Sequence, residues 1–392
     1  MILDEETAQR RAALRSLLAK PLLTAEHDAE ALVAVRRHLT YLREWLARET
    51  GWRLQADPET ARLFVTTPTT TDATHPARGR AGEPYGRRRY VLLCLALAVL
   101  ERSDAQTTLG TLADQLLDLA AEPELAATGI EFTMDNRSER SDLVAVVRML
   151  VDWGVLAKVA GDEDAYLSVA GDVLYDIERQ VLAALLTGNR GPSTVTAESF
   201  EQRLTALTAE AVPDTDELRN QALRRRLTRR LLLDPVVYYD ELDPAERAYL
   251  ISQRPAITRR IHEATGLWPE IRAEGIAMVD PDDQLTDVRM PEQRTDGHVT
   301  LLVAEYLAAR QEATVDELHQ FVRGMAGKHT AYWRKGVTEP GAERQLLAVA
   351  LEKLVALRLV EAGPNTVRSL PAIGRFAVDA PTIRSTEVME PR

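Results

Sequence analysis

Several features that mark a membrane protein or a disulfide-stabilised protein are missing from this sequence of 392 residues. It has one cysteine, Cys94, which excludes an internal disulfide and a zinc site built on paired cysteines. No apolar stretch approaches the ~18 residues that span a bilayer. The N-terminus is charged and lacks the apolar core of a signal peptide. We therefore expect a cytoplasmic protein without membrane contact.

Motifs for catalysis and cofactor binding are equally scarce. The sequence contains neither a GxGxxG segment nor GxxxxGK followed by Ser or Thr, so it has no nucleotide loop. Its histidines are scattered without HExxH or another paired-ligand spacing. Glu26, His27 and Asp28 lie at a predicted helix start, which favours helix capping over catalysis. We predict no enzymatic activity, no metal and no cofactor.

Positive charge and aromatic residues are both limited. The formal net charge of -12 argues against a protein that coats nucleic acid by bulk attraction, although it leaves room for local basic patches. Aromatic residues make up 5% of the chain, so the cores must rely on Leu, Val and Ala. This composition is typical of small, helix-rich domains.

The sequence does contain a long internal repeat. Pro21 matches Pro235, and Gly51 matches Gly266, at offsets of 214 and 215 residues. The apolar pattern at 143–150 returns at 347–354 with an offset of 204, a drift that loop insertions and deletions produce. The period is far longer than that of a solenoid repeat. It indicates two copies of a pair of domains.

Each half of the chain combines helical periodicity with short hairpins. Helices that end at Gly51 and Gly154 are each followed by two short strand-like segments, which is typical of a winged helix. We predict a mostly α protein with small β-hairpin wings, an α+β fold with a duplicated tandem winged-helix architecture. The predicted boundaries are 1–68 for winged helix 1, 69–84 for a linker, 85–190 for winged helix 2, 191–213 for a linker, 214–280 for a winged-helix-like domain 3, 281–297 for an acidic linker, 298–378 for winged helix 4 and 379–392 for a disordered tail.

Local patterns give further expectations. The second hairpin is predicted as strand 155–159, turn 160–164 and strand 165–169, with a helix over 172–188. Trp45, Trp52, Trp153 and Trp268 are interpreted as core anchors at helix ends or wing bases. A third run of arginines, at 224–226 and 229–230, is expected on an exposed helix surface that faces a partner more readily than DNA.

A family resemblance rests on short segments of the chain: LLTAEHD at 22–28, LREW at 42–45, GWRL at 51–54, RRY at 88–90, LVDWGVL at 150–156 and DVLYD at 172–176. Residues 15–177 resemble kite proteins, the tandem winged-helix subunits of bacterial SMC complexes. The whole chain most resembles the long MukE-like subunit of Wadjet-type systems, which restrict circular plasmids. These motifs are structural, so they indicate fold and lineage more directly than activity.

The resemblance implies a non-catalytic kite subunit in a cytoplasmic, nucleoid-associated complex. Its implied partners are a kleisin, an SMC ATPase, a topoisomerase-VI-like nuclease and DNA. Because the chain is doubled, we infer an intramolecular pseudo-dimer with one copy per kleisin, and a homodimer of whole chains is the competing arrangement. The alternative function is a winged-helix transcription regulator that binds DNA directly.

Charge patterns select the candidate binding residues. The candidate DNA-binding residues are Arg78, Arg80, Arg87, Arg88 and Arg89 near the first linker, and Lys328, Arg334 and Lys335 in the last domain. Tyr332 and Trp333 lie among the latter, where stacking on a base competes with a core role that is favoured for Trp333. Asp162, Glu163 and Asp164 are placed at a wing tip, where they repel phosphate and suit contact with a protein such as the kleisin.

Overall fold

The computed structural model describes residues 2–66, 72–126, 129, 132–168, 171–185, 195–209 and 214–377. Parts of the predicted linkers (69–71, 191–194 and 210–213), residues 186–190 and the predicted tail at 379–392 lie outside these described residues. The chain divides into two compact units. Unit 1 is Met1–Arg225 with Glu263–Thr265, and unit 2 is Arg226–His262 with Gly266–Arg392.

Unit 1 begins with two helix-and-sheet modules. Module 1 consists of α1 (Ile2–Ala19), β1 (Leu22–Thr24), α2 (Ala29–Arg37), α3 (Leu39–Glu49), β2 (Arg53–Ala56) and β3 (Thr60–Phe64). Module 2 consists of α4 (Arg87–Arg102), β4 (Gln106–Thr108), α5 (Leu109–Ala120), α6 (Pro123–Ala126), α7 (Arg137–Asp152), β5 (Leu156–Gly161), α8 (Glu163–Leu167), β6 (Val173–Ile177) and α9 (Arg179–Leu185). A further helix, α10 (Phe200–Thr208), follows.

Two more modules make up most of the remaining chain. Module 3 consists of α11 (Asp216–Leu233), β7 (Val237–Tyr238), a 3-10 turn (Tyr239–Glu241), α12 (Pro244–Thr265), β8 (Trp268–Ile271) and β9 (Gly275–Val279). Module 4 consists of α13 (Arg294–Arg310), β10 (Glu312–Thr314), α14 (Val315–Lys328), α15 (Ala342–Ala356), β11 (Val360–Ala362), β12 (Thr366–Ser369) and a 3-10 turn (Pro371–Phe376).

The four modules share one sheet topology. Each sheet has three antiparallel strands in the order first–third–second, namely β1-β3-β2, β4-β6-β5, β7-β9-β8 and β10-β12-β11. In every module the first strand follows a long helix, and the other two follow the last long helix. The predicted α+β class is confirmed. In each module the first strand lies between two helical segments and pairs with the third strand of the sheet. This pairing joins the hairpin to the helices.

Helix boundaries follow local sequence signals. Asp243 begins α12 and Thr314 begins α14, each with a capping box completed by a glutamate three residues later. These reciprocal bonds satisfy backbone N–H groups that the first helical turn leaves unpaired. Apolar faces then bury against the sheets, with Leu14, Leu112 and Leu150 fully enclosed. The modules therefore have aliphatic cores, as the low aromatic content predicts.

A left-handed residue turns the chain from the last helix into the hairpin in all four modules. In the first three it is a glycine, Gly51 (φ 73°), Gly154 (φ 73°) and Gly266 (φ 79°). In module 4 the position belongs to Arg358, with φ 54°. A bulky residue is strained in this region, whereas glycine is not. The arginine side chain at this position therefore has contacts that outweigh the strain.

Those contacts lie within unit 2. Arg358 Nη1 donates to the carbonyl oxygen of Val236 at 3.1 Å, and Arg358 also pairs with the carboxylates of Glu241 and Asp234. The Tyr238 hydroxyl donates to the Arg358 carbonyl oxygen at 2.7 Å. Burial raises the pKa of Asp234, and the nearby arginines oppose that rise. The turn of module 4 is thus joined to module 3 through a partly buried ion network.

We expect Arg358→Gly to lower the free energy of unfolding by about 1–2 kcal/mol. The glycine relieves about 1 kcal/mol of left-handed strain. Asp234 and Glu241 lose one of their two arginine partners and keep Arg230, and we expect this loss to cost more than the relief of strain. Urea unfolding of the purified chain measures the difference. Arg358→Ala loses the same contacts and keeps the strain, so it should be about 1 kcal/mol less stable than Arg358→Gly. A glycine variant more stable than the wild type would show that the ion network does not stabilise the fold.

The structure corrects the predicted second hairpin. Residues 163–167 form the short helix α8, and the second wing strand is β6 at Val173–Ile177, inside a range predicted as helix. Asp162 accepts a hydrogen bond from the Asp164 backbone N–H and begins α8. Tyr175 is fully buried, with Val173 and Ile177 on the same face of β6. The sequence predicts a helix over 172–188, so the apolar alternation at 173–177 was not assigned to a strand.

The first strands of the sheets and one tryptophan also differ from expectation. Residues Thr24 and Thr107 lie in three-residue strands that have no periodic pattern of their own. Trp52 and Trp45 are buried as predicted, but Trp268 is 60% exposed. It lies on the edge strand β8, with its ring against His262 at 4.7 Å between centroids. Its interpretation as a core anchor was wrong.

Candidate nucleic-acid interface

The first predicted basic group surrounds the start of α4, and its members are Arg78, Arg80, Arg87, Arg88 and Arg89. The preceding loop is closed by hydrogen bonds from the Gly79 N–H to the Glu83 carbonyl oxygen (2.8 Å) and from Tyr85 to Ala77 (2.7 Å). The Tyr90 hydroxyl accepts from the Ala77 N–H at 2.8 Å. This part of the predicted linker is therefore a hydrogen-bonded turn attached to α4.

Two of these five arginines are neutralised within module 2. Arg88 Nε and Arg89 Nε donate to the two oxygens of Asp142, which lies on α7 and is 8% exposed. Arg89 also pairs with Glu83 at 2.8 Å, and its side chain is only 16% exposed. A guanidinium held by carboxylates presents little positive charge to a phosphate. These two arginines join α4 to α7.

The other three members face solvent. Arg78 donates to the carbonyl oxygen of Gly82 at 2.8 Å and is exposed. Arg80 and Arg87 are exposed, and neither forms an ion pair with any residue that the structure describes. The unpaired charge of the first group therefore resides chiefly on Arg80 and Arg87.

The second predicted group, Lys328, Arg334 and Lys335, lies in module 4 where α14 gives way to a loop. Arg334 pairs with Asp296 at 3.2 Å, and its backbone N–H donates to the Thr295 hydroxyl at 2.8 Å. Lys328 and Lys335 are exposed and make no ion pair within the described part of the chain. They are the unpaired cations of this loop.

The loop is anchored by Trp333. Its ring is 7% exposed, stacks on His329 (5.4 Å between centroids) and donates from Nε1 to His298 Nδ1 at 3.0 Å. The preference for Trp333 as a core residue agrees with this burial. The neighbouring Tyr332 is 86% exposed. The histidine partners of Trp333 were not expected from the sequence. His298 lies on α13 and His329 follows α14, so the two residues are 31 positions apart and meet only in the fold.

The acidic group 162–164 lies in the connection between the wing strands β5 and β6, where it forms the start of α8. Glu163 is buried and accepts hydrogen bonds from Lys158 Nζ and the Tyr175 hydroxyl, both at 3.0 Å. Burial opposes its ionisation, but these bonds hold the pKa of Glu163 below its usual value. Asp164 pairs with Arg148 at 3.0 Å. Glu163 therefore has a structural role, and Asp162 and Asp164 form the exposed acidic surface.

The third run of arginines is not the exposed surface that the sequence suggested. Arg225 donates to the Ala47 carbonyl oxygen (2.7 Å) at the end of α3, within unit 1. Arg226 pairs with the buried Glu246 at 2.9 Å, within unit 2. Arg229 is 5% exposed. The side chains of Arg225 and Arg226 therefore bind a helix-terminal carbonyl oxygen and a carboxylate of the same chain.

Comparison with protein families places all four modules in one family. The family model described as "Protein of unknown function (DUF2398)" matches residues 14–379. The chain belongs to the DUF2398 family. No curated protein matches it. The matched range contains every sheet of the described residues.

No group of three or more His, Cys, Asp or Glu side chains in the described part of the DUF2398 chain is placed to hold a metal ion. Among its described helices, none is both long and apolar enough to cross a membrane.

We expect the stability of the DUF2398 chain to depend on pH through His298. Burial, and secondarily the charge of His329, hold the pKa of His298 below its usual 6.5. The unfolded chain therefore takes up this proton at a higher pH than the folded chain does. The contribution to stability is complete above pH 6.5 and is lost as the pH falls through the lowered pKa. Nδ1 accepts from Trp333, so protonation there also breaks that bond.

The measurement is urea unfolding of wild type and His298→Gln between about pH 5 and pH 7.5, the range in which a histidine titrates. Glutamine retains an oxygen that accepts from Trp333 and does not titrate. The wild type should lose more stability on acidification than the variant. Equal losses in both proteins would assign the acid sensitivity to other groups.

Proposed function

We propose that each module is a winged-helix domain and that the chain is a non-catalytic, kite-type subunit of an SMC complex. In this role it binds a kleisin and helps the SMC motor engage DNA, in defence against circular plasmids. The observation that carries the proposal is the fourfold recurrence of one first–third–second sheet order, in which the first strand follows a long helix and the other two strands follow the last long helix. Tandem domains of this kind are what the MukE-like resemblance implies.

The distribution of polar groups supports a binding role over a catalytic one. The conspicuous polar pairs of the described structure have structural roles: Asp142 joins α4 to α7, and Glu163 supports Tyr175 beneath the wing. An active site requires polar groups that converge on an accessible substrate position. We propose that ATP hydrolysis and DNA cleavage belong to the partners, an SMC ATPase and a topoisomerase-VI-like nuclease.

The arginines of α7 support the kite assignment over a transcription regulator. A regulator of this fold needs free cations on a helix that enters the major groove. Arg140 instead donates to the carbonyl oxygens of Met134 and Asp135, both at 2.9 Å, and Arg148 pairs with Asp164. Of the three arginines of α7, only Arg137 has a side chain that is exposed without an ion pair or a hydrogen bond to another described residue, which leaves one cation for base contacts. We therefore keep direct operator binding as the alternative and not as the main proposal.

We propose that the kleisin contacts the acidic surface of Asp162 and Asp164. The test is co-expression of the DUF2398 chain with its kleisin, followed by light scattering of the purified complex. A monomer that forms a one-to-one complex is expected from the duplication. A stable homodimer would contradict the inferred pseudo-dimer, and failure to bind the kleisin would contradict the kite assignment.

A paired variant tests the surface itself. Asp162→Ser keeps a capping side chain at the start of α8, and Asp164→Asn removes the second charge while Glu163 remains intact. The double variant should weaken kleisin binding without unfolding the chain. The matched control is Asp114→Asn with Asp118→Asn, two exposed acids on α5 of the same module. Equal kleisin binding by both double variants would exclude the acidic surface.

A further inference from the structure

We propose that Tyr332 is a stacking platform for an unpaired DNA base, and that residues 328–335 bind DNA where its bases are unstacked. This inference rests on the proposed engagement of DNA and specifies the kind of DNA that module 4 recognises. Four features of the loop carry it: the exposure of the ring, the rigidity of its support, the cations beside it and the lack of other exposed apolar side chains.

The Tyr332 ring is unusually open to solvent. At 86% exposure it is the most exposed of the large apolar side chains in the described structure, ahead of Phe200 at 73%. A tyrosine usually buries its ring and leaves only its hydroxyl wet. Both faces of the Tyr332 ring are therefore available to a planar ligand.

The backbone that carries this ring is fixed. The N–H groups of Tyr332 and Trp333 both donate to the His329 carbonyl oxygen at 3.0 Å. Trp333 is buried against His298 and His329, and the N–H of Arg334 donates to Thr295. A ring presented by an ordered loop loses less conformational freedom on binding than one on a mobile loop. The support thus favours recognition by stacking.

The charge around the ring matches a nucleic-acid backbone. Residues 327–338 contain Lys328, Arg334 and Lys335 and no acidic residue. Lys328 and Lys335 flank Tyr332 in sequence, are exposed and have no carboxylate partner among the described residues. Arg334 is paired with Asp296, which leaves two lysines for phosphate. An aromatic ring with flanking cations is the combination that binds single-stranded nucleic acid.

The surroundings of the ring argue against a protein partner. Interfaces between proteins place aromatic residues in an apolar core from which charged residues are depleted. In the described part of module 4 no other large apolar side chain is exposed, and the neighbouring Trp333 and Val337 are each 7% exposed.

The exposed ring also favours one kind of DNA over another. In an intact duplex the base faces are covered by their neighbours, so a ring can stack only on a base outside the stack. The structure therefore favours unpaired DNA.

The test measures binding of the full chain to three fluorescent DNA probes by anisotropy at low salt. The probes are a single strand of about 15 nucleotides, within the range of known single-strand sites, the matching duplex, and the same duplex with a central unpaired bubble. The variants are Tyr332→Ala, Tyr332→Phe, which keeps an aromatic face, and Lys328→Glu with Lys335→Glu.

We expect the wild type to bind the single strand and the bubble more tightly than the duplex. Tyr332→Ala should weaken binding to those two probes by about tenfold, change duplex binding by less than about twofold, and be rescued by Tyr332→Phe. The lysine variant should weaken binding to every probe. Circular dichroism and urea unfolding confirm that the exposed substitutions leave the fold intact.

Failure of this inference is distinguishable from failure of the proposed function. If Tyr332→Ala binds all three probes like the wild type while the lysine variant does not, module 4 binds DNA but Tyr332 does not stack on it. If Tyr332→Ala instead weakens only kleisin binding, the residue contacts protein and the inference is wrong. If the wild type binds no probe, the inference is also wrong, and kleisin binding still decides whether the chain is a kite subunit.

Discussion

Asp142→Asn is expected to lower the free energy of unfolding by about 2–3 kcal/mol, because it removes the shared partner of Arg88 and Arg89. The loss of one member of a buried ion pair typically costs about 3–5 kcal/mol, since the other charge remains buried. We expect a smaller loss of stability here, because Arg88 is 41% exposed and Arg89 retains its ion pair with Glu83. Asparagine has nearly the same shape, so no cavity contributes to the effect. Urea unfolding measures it.

Matched variants of the same module separate this ion pair from surface charge. Asp118→Asn removes an exposed acid from α5, and Arg87→Ala removes the exposed neighbour of Arg88. Both should change the free energy of unfolding by less than about 0.5 kcal/mol, as for most surface substitutions. If Asp142→Asn is as stable as these controls, Arg88 and Arg89 are free to bind phosphate, and the division of the first basic group is wrong.

Reversal of charge at both Lys328 and Lys335 is expected to weaken binding of single-stranded DNA by at least about 25-fold at ~0.1 M salt. Each phosphate contact with a single strand adds about 0.7 to the slope of log affinity against log salt, so two contacts contribute about 1.4 in log affinity at that concentration. Introduction of Glu adds repulsion to this loss. The measurement is anisotropy with the single-stranded probe over a salt series, in which the slope should decrease by about 1.4.

A control with the same change in net charge distinguishes a local contact from long-range attraction. Arg203→Glu with Arg219→Glu reverses two exposed arginines in unit 1. Long-range effects of exposed charges are largely screened at this ionic strength, so the control should change affinity by less than about threefold. If both double variants weaken binding equally, DNA responds to total charge and residues 328–335 are not a specific contact.

Long helices and their ends were the most predictable part of the fold. The helices α3 and α7 end just before Gly51 and Gly154, as predicted, and both glycines have the left-handed conformation that their positions predict. These features depend on interactions over three to four residues, which a single sequence records directly. The predicted α+β class follows from them.

Features that depend on distant residues were missed. Strand β1 exists because Leu22, Leu23 and Thr24 pair with 60–62, and β7 has only two residues. A strand this short has no period for a sequence pattern to reveal. The helix α8 and the exposure of Trp268 likewise follow from packing. Propensity and spacing cannot supply these results, because tertiary contacts override both.

The candidate site shows the same division more sharply. The sequence alone located the basic groups and the aromatic pair at 332–333, since residue type and spacing are local properties. Only the tertiary structure decided which cations are free: Asp142 occupies Arg88 and Arg89 from 53 or more residues away, whereas Arg87 and Lys335 have no such carboxylate among the described residues. It likewise exposed Tyr332 and buried Trp333 against His298. The physical reason is that a charge or a ring acquires its role from neighbours that the fold, and not the chain order, brings within a few ångströms.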